Sequence, residues 1–85
     1  MARVLMYKTE RCVFCARATD LLKRKGVSQI DEVFIDRDDL ARDAMVQNTG
    51  RKTVPQIFIG ERHVGGFDDL SKLDQLGELD ALLNS

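Results

Sequence analysis

The segment Arg3-Val4-Leu5-Met6-Tyr7-Lys8-Thr9-Glu10-Arg11-Cys12-Val13-Phe14-Cys15 changes period halfway along. From Arg3 to Tyr7 the nearly continuous apolar run reads as a short buried strand. Thr9 to Arg11 is a polar connection. From Val13 to Lys25 the spacing turns helical, with Phe14, Ala18, Leu21 and Leu22 at i, i+4, i+7 and i+8. Lys23, Arg24 and Lys25 suit the negative end of that helix, and Gly26 is placed to cap it. A second apolar run, Val33-Phe34-Ile35, predicts a strand over Glu32–Asp36. Strand, helix and strand in that order make a βαβ unit, whose crossover requires parallel strands.

Reading outward, a helix is predicted over Asp38–Gln47, with Leu40, Ala41, Ala44 and Met45 as its apolar positions and Gly50 just past its end. Asp38 and Asp39 read as its cap and first turn. Gln56-Ile57-Phe58-Ile59, then Gly60-Glu61-Arg62, then His63-Val64 predict a tight hairpin. The remainder is helical, with an apolar stripe through Leu70, Leu73, Leu76, Leu79, Leu82 and Leu83 and a break at Gly77. The order β-α-β-α-β-β-α predicts an α/β fold: a four-stranded mixed sheet with helices on both faces, residues 1–85 forming one domain.

Composition narrows the function. Thirteen basic against fourteen acidic residues, a net charge of −1, argue against a phosphate-driven nucleic-acid binder. The first eight residues hold too short an apolar run for a signal peptide or a membrane span. The expected setting is therefore the cytoplasm, with no membrane partner, where structural disulfides are uncommon. The chain has two cysteines, Cys12 and Cys15, and a bridge between them closes too small a loop to stabilise much. Their place is better explained by chemistry.

Cys12 falls at the strand-to-helix junction. Unpaired N–H groups and the positive end of the helix dipole favour a thiolate there, and Lys8, Arg11 and Arg17 add charge of the same sense. A thiolate is the species that attacks a disulfide. Cys15, one turn on and on the same face, is within reach to resolve a mixed disulfide. A zinc site would need four ligands, and only His63 adds a nitrogen; His63 reads instead as a solvated hairpin residue. Pro55, the sole proline, precedes a strand. It reads as an ordinary strand-start proline or as a cis residue that turns Val54 toward the dithiol.

Taken together, Tyr7 through Cys15, Thr53-Val54-Pro55-Gln56-Ile57-Phe58-Ile59 and Gly65-Gly66-Phe67-Asp68-Asp69-Leu70 resemble the glutaredoxins, in particular the short bacterial dithiol type. The resemblance spans nearly the whole chain. It implies a thioredoxin fold, a cis peptide before Pro55, and glutathione as reductant or co-substrate. It further implies that Cys12 forms the mixed disulfide with glutathione and that the Val54 backbone pairs with the tripeptide as an added strand would, with Thr53, Pro55 and Gly66 in the same site. Gln47 and a basic side chain would hold the glycine carboxylate. Asp68, with the N–H groups of Phe67 and Asp68, would bind the γ-glutamyl end. For that last site the residues speak independently: Gly-Gly permits close backbone approach, and a helix N-terminus attracts anions. The plain alternative is a helix start capped by Asp68 or Asp69.

Three positions depart from the family pattern. Val13 and Phe14 stand where Pro-Tyr is usual, and Thr9 stands where a lysine is common. Lys8 and Arg11 are then the candidates for the basic side chain, with Arg51 and Lys52 as substitutes. The leading function is a glutathione-dependent thiol transferase acting on glutathionylated or disulfide-containing proteins as a monomer, with ribonucleotide reductase among the reductive enzymes it would serve. A donor served by thioredoxin reductase is a variant of the same class. From another class comes a [2Fe–2S] carrier, in which two chains share a cluster through Cys12 and two glutathione molecules; the absent proline is its sequence feature.

Overall fold

The computed structural model describes residues 1–85. The elements are β1 (Val4–Lys8), α1 (Val13–Arg24), β2 (Ile30–Phe34), α2 (Asp39–Thr49), β3 (Gln56–Ile59), β4 (Arg62–Gly65), α3 (Phe67–Gln75) and α4 (Leu79–Leu83). The strands form one mixed sheet in the order β2-β1-β3-β4. β1 runs parallel to β2 and antiparallel to β3, and β3 and β4 form the hairpin. This is the thioredoxin fold.

Alternation along β1 explains the two faces. Val4 and Met6 point into a core of 13 buried residues shared with Ala18, Leu21 and Leu22 of α1, Leu70 and Leu73 of α3, and Leu79 and Leu83 of α4. Tyr7 points the other way, into a small cluster with Ile35 and with Met45 of α2. The helices thus lie on both faces. α1 ends as its sequence predicts: Gly26 takes φ 92°, its N–H donates to Lys23 O, and Val27 N–H donates to Leu22 O. These are the paired bonds of a Schellman motif.

Several predicted details shift. The second strand is Ile30–Phe34 rather than Glu32–Asp36. Parallel register pairs Val4 with Ile30 and Lys8 with Phe34, so Ile35 donates one last bond to Lys8 O before the chain turns away. α2 runs two residues beyond Gln47, to the left-handed Gly50, and Asp38 caps its start by accepting from Leu40 N–H at 2.9 Å. Of its four apolar positions only Met45 is buried, and Leu40 is 77% exposed. Leu76 likewise faces solvent, at the end of α3 just before the break at Gly77.

Topology gathers the candidate site. The end of β1, the start of β3 and the end of β4 lie at one end of the sheet, because β3 opposes β1 and β4 opposes β3. Cys12, Thr53-Val54-Pro55 and Gly65-Gly66-Phe67 follow or precede those strand ends directly.

Candidate active site

Cys12 is the N-cap of α1, in extended backbone conformation, and its Sγ accepts from Cys15 N–H at 3.1 Å. No acidic residue occupies the first turn, so the helix dipole at the sulfur is unopposed within the helix. Cys12 and Cys15 are joined as a disulfide, their Cα atoms 5.2 Å apart. Cys15 is 1% exposed within the main core, whereas Cys12 is only partly buried. One sulfur therefore meets solvent and the other is held behind it.

The loop before Cys12 is braced from β2's side. Glu10 N–H donates to Asp36 Oδ2 at 3.0 Å, and Arg37, stacked on Phe34, forms an ion pair with Glu10. Lys8 turns to the same side, its Nζ 2.6 Å from Glu32 Oε2.

Beside Phe14 a cleft of about 230 Å³ is lined by Arg51, Thr53, Val54, Pro55, Gly66, Phe67, Asp68 and Asp69. The Val54–Pro55 peptide is cis. The Val54 N–H and C=O have no hydrogen-bond partner in the chain. Phe14, predicted on the buried stripe of α1, is instead half exposed, tilted against Phe67 with ring centroids 6.2 Å apart and carrying the Arg17 guanidinium on its face.

On the far wall α3 begins at Gly66, which offers no capping side chain. Asp69 reaches back, its Oδ2 accepting from Gly66 N–H at 2.9 Å and from Arg51 Nη1 at 2.9 Å. Those two donors hold the Asp69 carboxyl below the usual range, the backbone N–H contributing most. The N–H groups of Phe67, Asp68 and Asp69 have no acceptor within the chain, and Asp68 is exposed with its carboxylate free of ion pairs. Gly65, at φ 117°, has no room for a Cβ, which would strike the Asp69 carboxylate.

The sequence-predicted residues thus divide. Thr53, Val54, Pro55, Gly66, Phe67 and Asp68 line one cleft. Gln47 lines another, of about 490 Å³, with Arg42, Asp43, Val46 and Lys52. Lys8 is engaged by Glu32, and Arg11 is exposed and lines neither cleft. Arg51 is committed to Asp69, which leaves Lys52 and Arg42 as the basic side chains beside Gln47. No three His, Cys, Asp or Glu side chains gather as metal ligands, so one chain alone does not build a site for a cluster that needs four.

Of the two caps the sequence offers for α3, Asp68 or Asp69, the structure selects Asp69, and one contact at His63 was missed. Asp69 takes the capping role at the i+3 spacing from Gly66, a recognisable half of a capping box. His63 is not a solvated hairpin residue: it is half-buried, its Nε2 2.7 Å from Gln56 Oε1. The one available signal was a glutamine inside the apolar run Ile57-Phe58-Ile59.

A partly exposed sulfur at a helix N-terminus, with a buried partner one turn on, is built for thiol–disulfide exchange. The sequence model of the family described as Glutaredoxin matches residues 4–64. The chain belongs to the glutaredoxin family. It is 51% identical over 84 residues to a glutaredoxin of Neisseria meningitidis serogroup B, covering 99% of each chain. Glutaredoxin 3 of Escherichia coli is 51% identical over 83 residues, covering 98% of this chain and 99% of that one. Among solved structures, a buckwheat glutaredoxin–glutathione complex superposes with a TM-score of 0.88 at 28% identity, over 98% of this chain and 77% of that one. The glutaredoxin of Brucella melitensis gives 0.84 at 46% identity, over 98% and 89%. As a glutaredoxin, the chain is a glutathione-dependent thiol–disulfide oxidoreductase working through a dithiol.

Proposed function

We propose that Cys12 is the attacking thiolate and Cys15 the resolving thiol, and that glutathione lies in the cleft as an added strand. Cys12 attacks the glutathionyl sulfur of a mixed disulfide, releasing the substrate thiolate and forming Cys12–S–S–glutathione. A second glutathione thiolate then attacks that sulfur, leaving as glutathione disulfide and restoring the Cys12 thiolate. With a protein disulfide, Cys15 attacks the Cys12 mixed disulfide, closes the intramolecular bridge and frees the reduced protein.

The observation that carries this reading is the open Val54 backbone, which lines one cleft with the start of α3 and with Phe14, the residue next to Cys15. Val54 N–H and C=O would bond the central residue of the tripeptide. The N–H groups of Phe67 and Asp68 would take the α-carboxylate of the γ-glutamyl end and Asp68 its ammonium. Gln47, with Lys52 or Arg42, would take the glycine carboxylate. Lys8 and Arg11 line neither cleft, which favours Lys52 or Arg42 for that role.

Dithiol and cleft come from one chain, which favours a monomeric, single-domain working unit. No helix is long and apolar enough to cross a membrane, and a reducing compartment such as the cytoplasm suits an open dithiol. Ribonucleotide reductase belongs to the class of disulfide substrates the pair would serve. A zwitterion site at α3 favours glutathione over thioredoxin reductase as the source of electrons. The [2Fe–2S] carrier reading rests on Val13 alone, and anaerobic purification with visible absorbance tests it.

Reduction of a glutathione mixed disulfide by metal-free protein, coupled to glutathione reductase and NADPH, tests the main reading. Turnover that saturates with glutathione and needs Cys12 is the expected result. Its absence in folded, reduced protein would refute the proposal.

A further inference from the structure

Gln56 is the one polar side chain among the buried residues, with no exposed surface. A buried primary amide has to satisfy both ends. Its Nε2 donates to the Thr53 carbonyl at 3.0 Å and lies 3.3 Å from Thr53 Oγ1; its Oε1 faces His63 Nε2 at 2.7 Å. The assignment is forced. A carbonyl only accepts, so the amide NH₂ must face Thr53, the amide oxygen must face His63, and His63 must carry its proton on Nε2. Burial, then the charge of Arg51, pushes the His63 pKa down and keeps the ring neutral.

The Thr53 carbonyl belongs to the same rigid plane as the Val54 N–H, and in a trans peptide the two point opposite ways. This peptide is trans, the cis bond being the next one along. Anchoring the carbonyl therefore aims the N–H, which the chain leaves unpaired in the cleft.

We infer that Gln56 and His63 form a positioning relay that aims the Thr53–Val54 peptide at the glutathionyl backbone, setting preference for the tripeptide without touching it. The inference rests on the proposed seat of glutathione at Val54. It makes Gln56 and His63 determinants of substrate binding and leaves the reactivity of Cys12 untouched.

The test compares turnover of the mixed disulfide of glutathione and 2-mercaptoethanol under glutathione with a single turnover of 2-hydroxyethyl disulfide, which has no peptide. The reduced Cys12–Cys15 dithiol performs the second without glutathione, since free glutathione would convert that substrate into the first. Gln56→Leu should raise KM for the first about tenfold, the loss expected for one hydrogen bond. Its kcat, its rate on the second substrate and the alkylation rate of Cys12 should stay within about twofold. His63→Leu should act in the same direction by about threefold. His63→Gln, which keeps an N–H donor, should restore the wild-type KM. Equal losses on both substrates, or an unchanged KM in folded Gln56→Leu, would overturn the relay. If Gln56→Leu does not fold, the His63→Leu and His63→Gln pair decides. Wild-type protein that fails to prefer the glutathione substrate would refute the glutathione seat instead. The relay is then judged on the amide resonance of Val54 in substrate-free protein, which Gln56→Leu must shift; an unmoved resonance overturns it.

Discussion

Two helices, α1 and α3, begin at the same end of the sheet, and their first turns are opposites. α1 starts with a cysteine whose sulfur accepts from its own helix, has no carboxylate in its first turn, and has arginines at Arg11 and Arg17. α3 starts with a glycine, leaves three N–H groups unpaired, and carries Asp68 and Asp69 in its first turn. A helix dipole favours negative charge at its start in both cases. On the proposed function, that charge at α1 would be the Cys12 thiolate of the reduced protein. At α3 the donors would take a ligand, with Asp68 as the partner for its ammonium. The same backbone feature would then serve reactivity on one wall and recognition on the other.

Changing the thiol should produce the largest effect. Cys12→Ser should lower turnover of glutathione mixed disulfides by about a thousandfold or more, since Cys15, the other thiol, is buried away from substrate. Cys15→Ser should keep that turnover and lose dithiol reduction of a protein disulfide. Coupled assays on both substrates check the division, and equal loss of both in Cys15→Ser would break it.

The recognition wall should respond next, and differently. Asp68→Ala should raise KM for glutathione about tenfold, as for loss of a charge-assisted hydrogen bond at an exposed site, with kcat little changed. A fall in kcat at constant KM would mean that the two walls do not divide the work. Val13→Asp makes the first turn of α1 resemble that of α3. It should slow iodoacetamide alkylation of reduced Cys12 by about two- to fivefold on the acid limb of the rate–pH profile.

The smallest effect concerns pH. His63 has a lowered folded pKa, so the unfolded chain binds a proton first, and its share of stability is lost as pH falls through about 6.5 toward the folded value. The lowered Asp69 pKa acts at more acid pH: its contribution is full above about 3.9 and is lost as pH falls through its folded value. Between pH 7.5 and 5.5 the urea midpoint of wild type should fall further than that of His63→Gln, by about 0.2 M. Parallel curves would remove His63 as the cause.

Much of this was legible in the chain. The change of period between Tyr7 and Val13 placed β1, α1 and Cys12, because local spacing reports which face is buried. The hairpin and the break at Gly77 followed from turn chemistry. Strand register across a parallel pair is a tertiary property, so β2 was placed two residues late. Leu40, Leu76 and Phe14 were assigned to the interior by spacing, yet what covers a helix face depends on its neighbours. The partners of Lys8, Arg51 and His63 were illegible for the same reason. Each is 18, 24 or 7 residues away in the chain, and nothing local marks such a pairing.

The unpaired Val54 backbone can also be viewed as a sheet edge one residue long. Exposed edges invite other strands, and proteins blunt them by keeping them short or by placing proline there. Here Pro55 supplies no N–H, so the edge ends after a single residue. A passing strand would find only two backbone bonds, too few to hold it or to start aggregation. On the proposed seat of glutathione, a peptide that also reaches the sulfur at one end and the donors of α3 at the other would gain enough to stay, so the shortness of the edge would guard against promiscuous strand pairing.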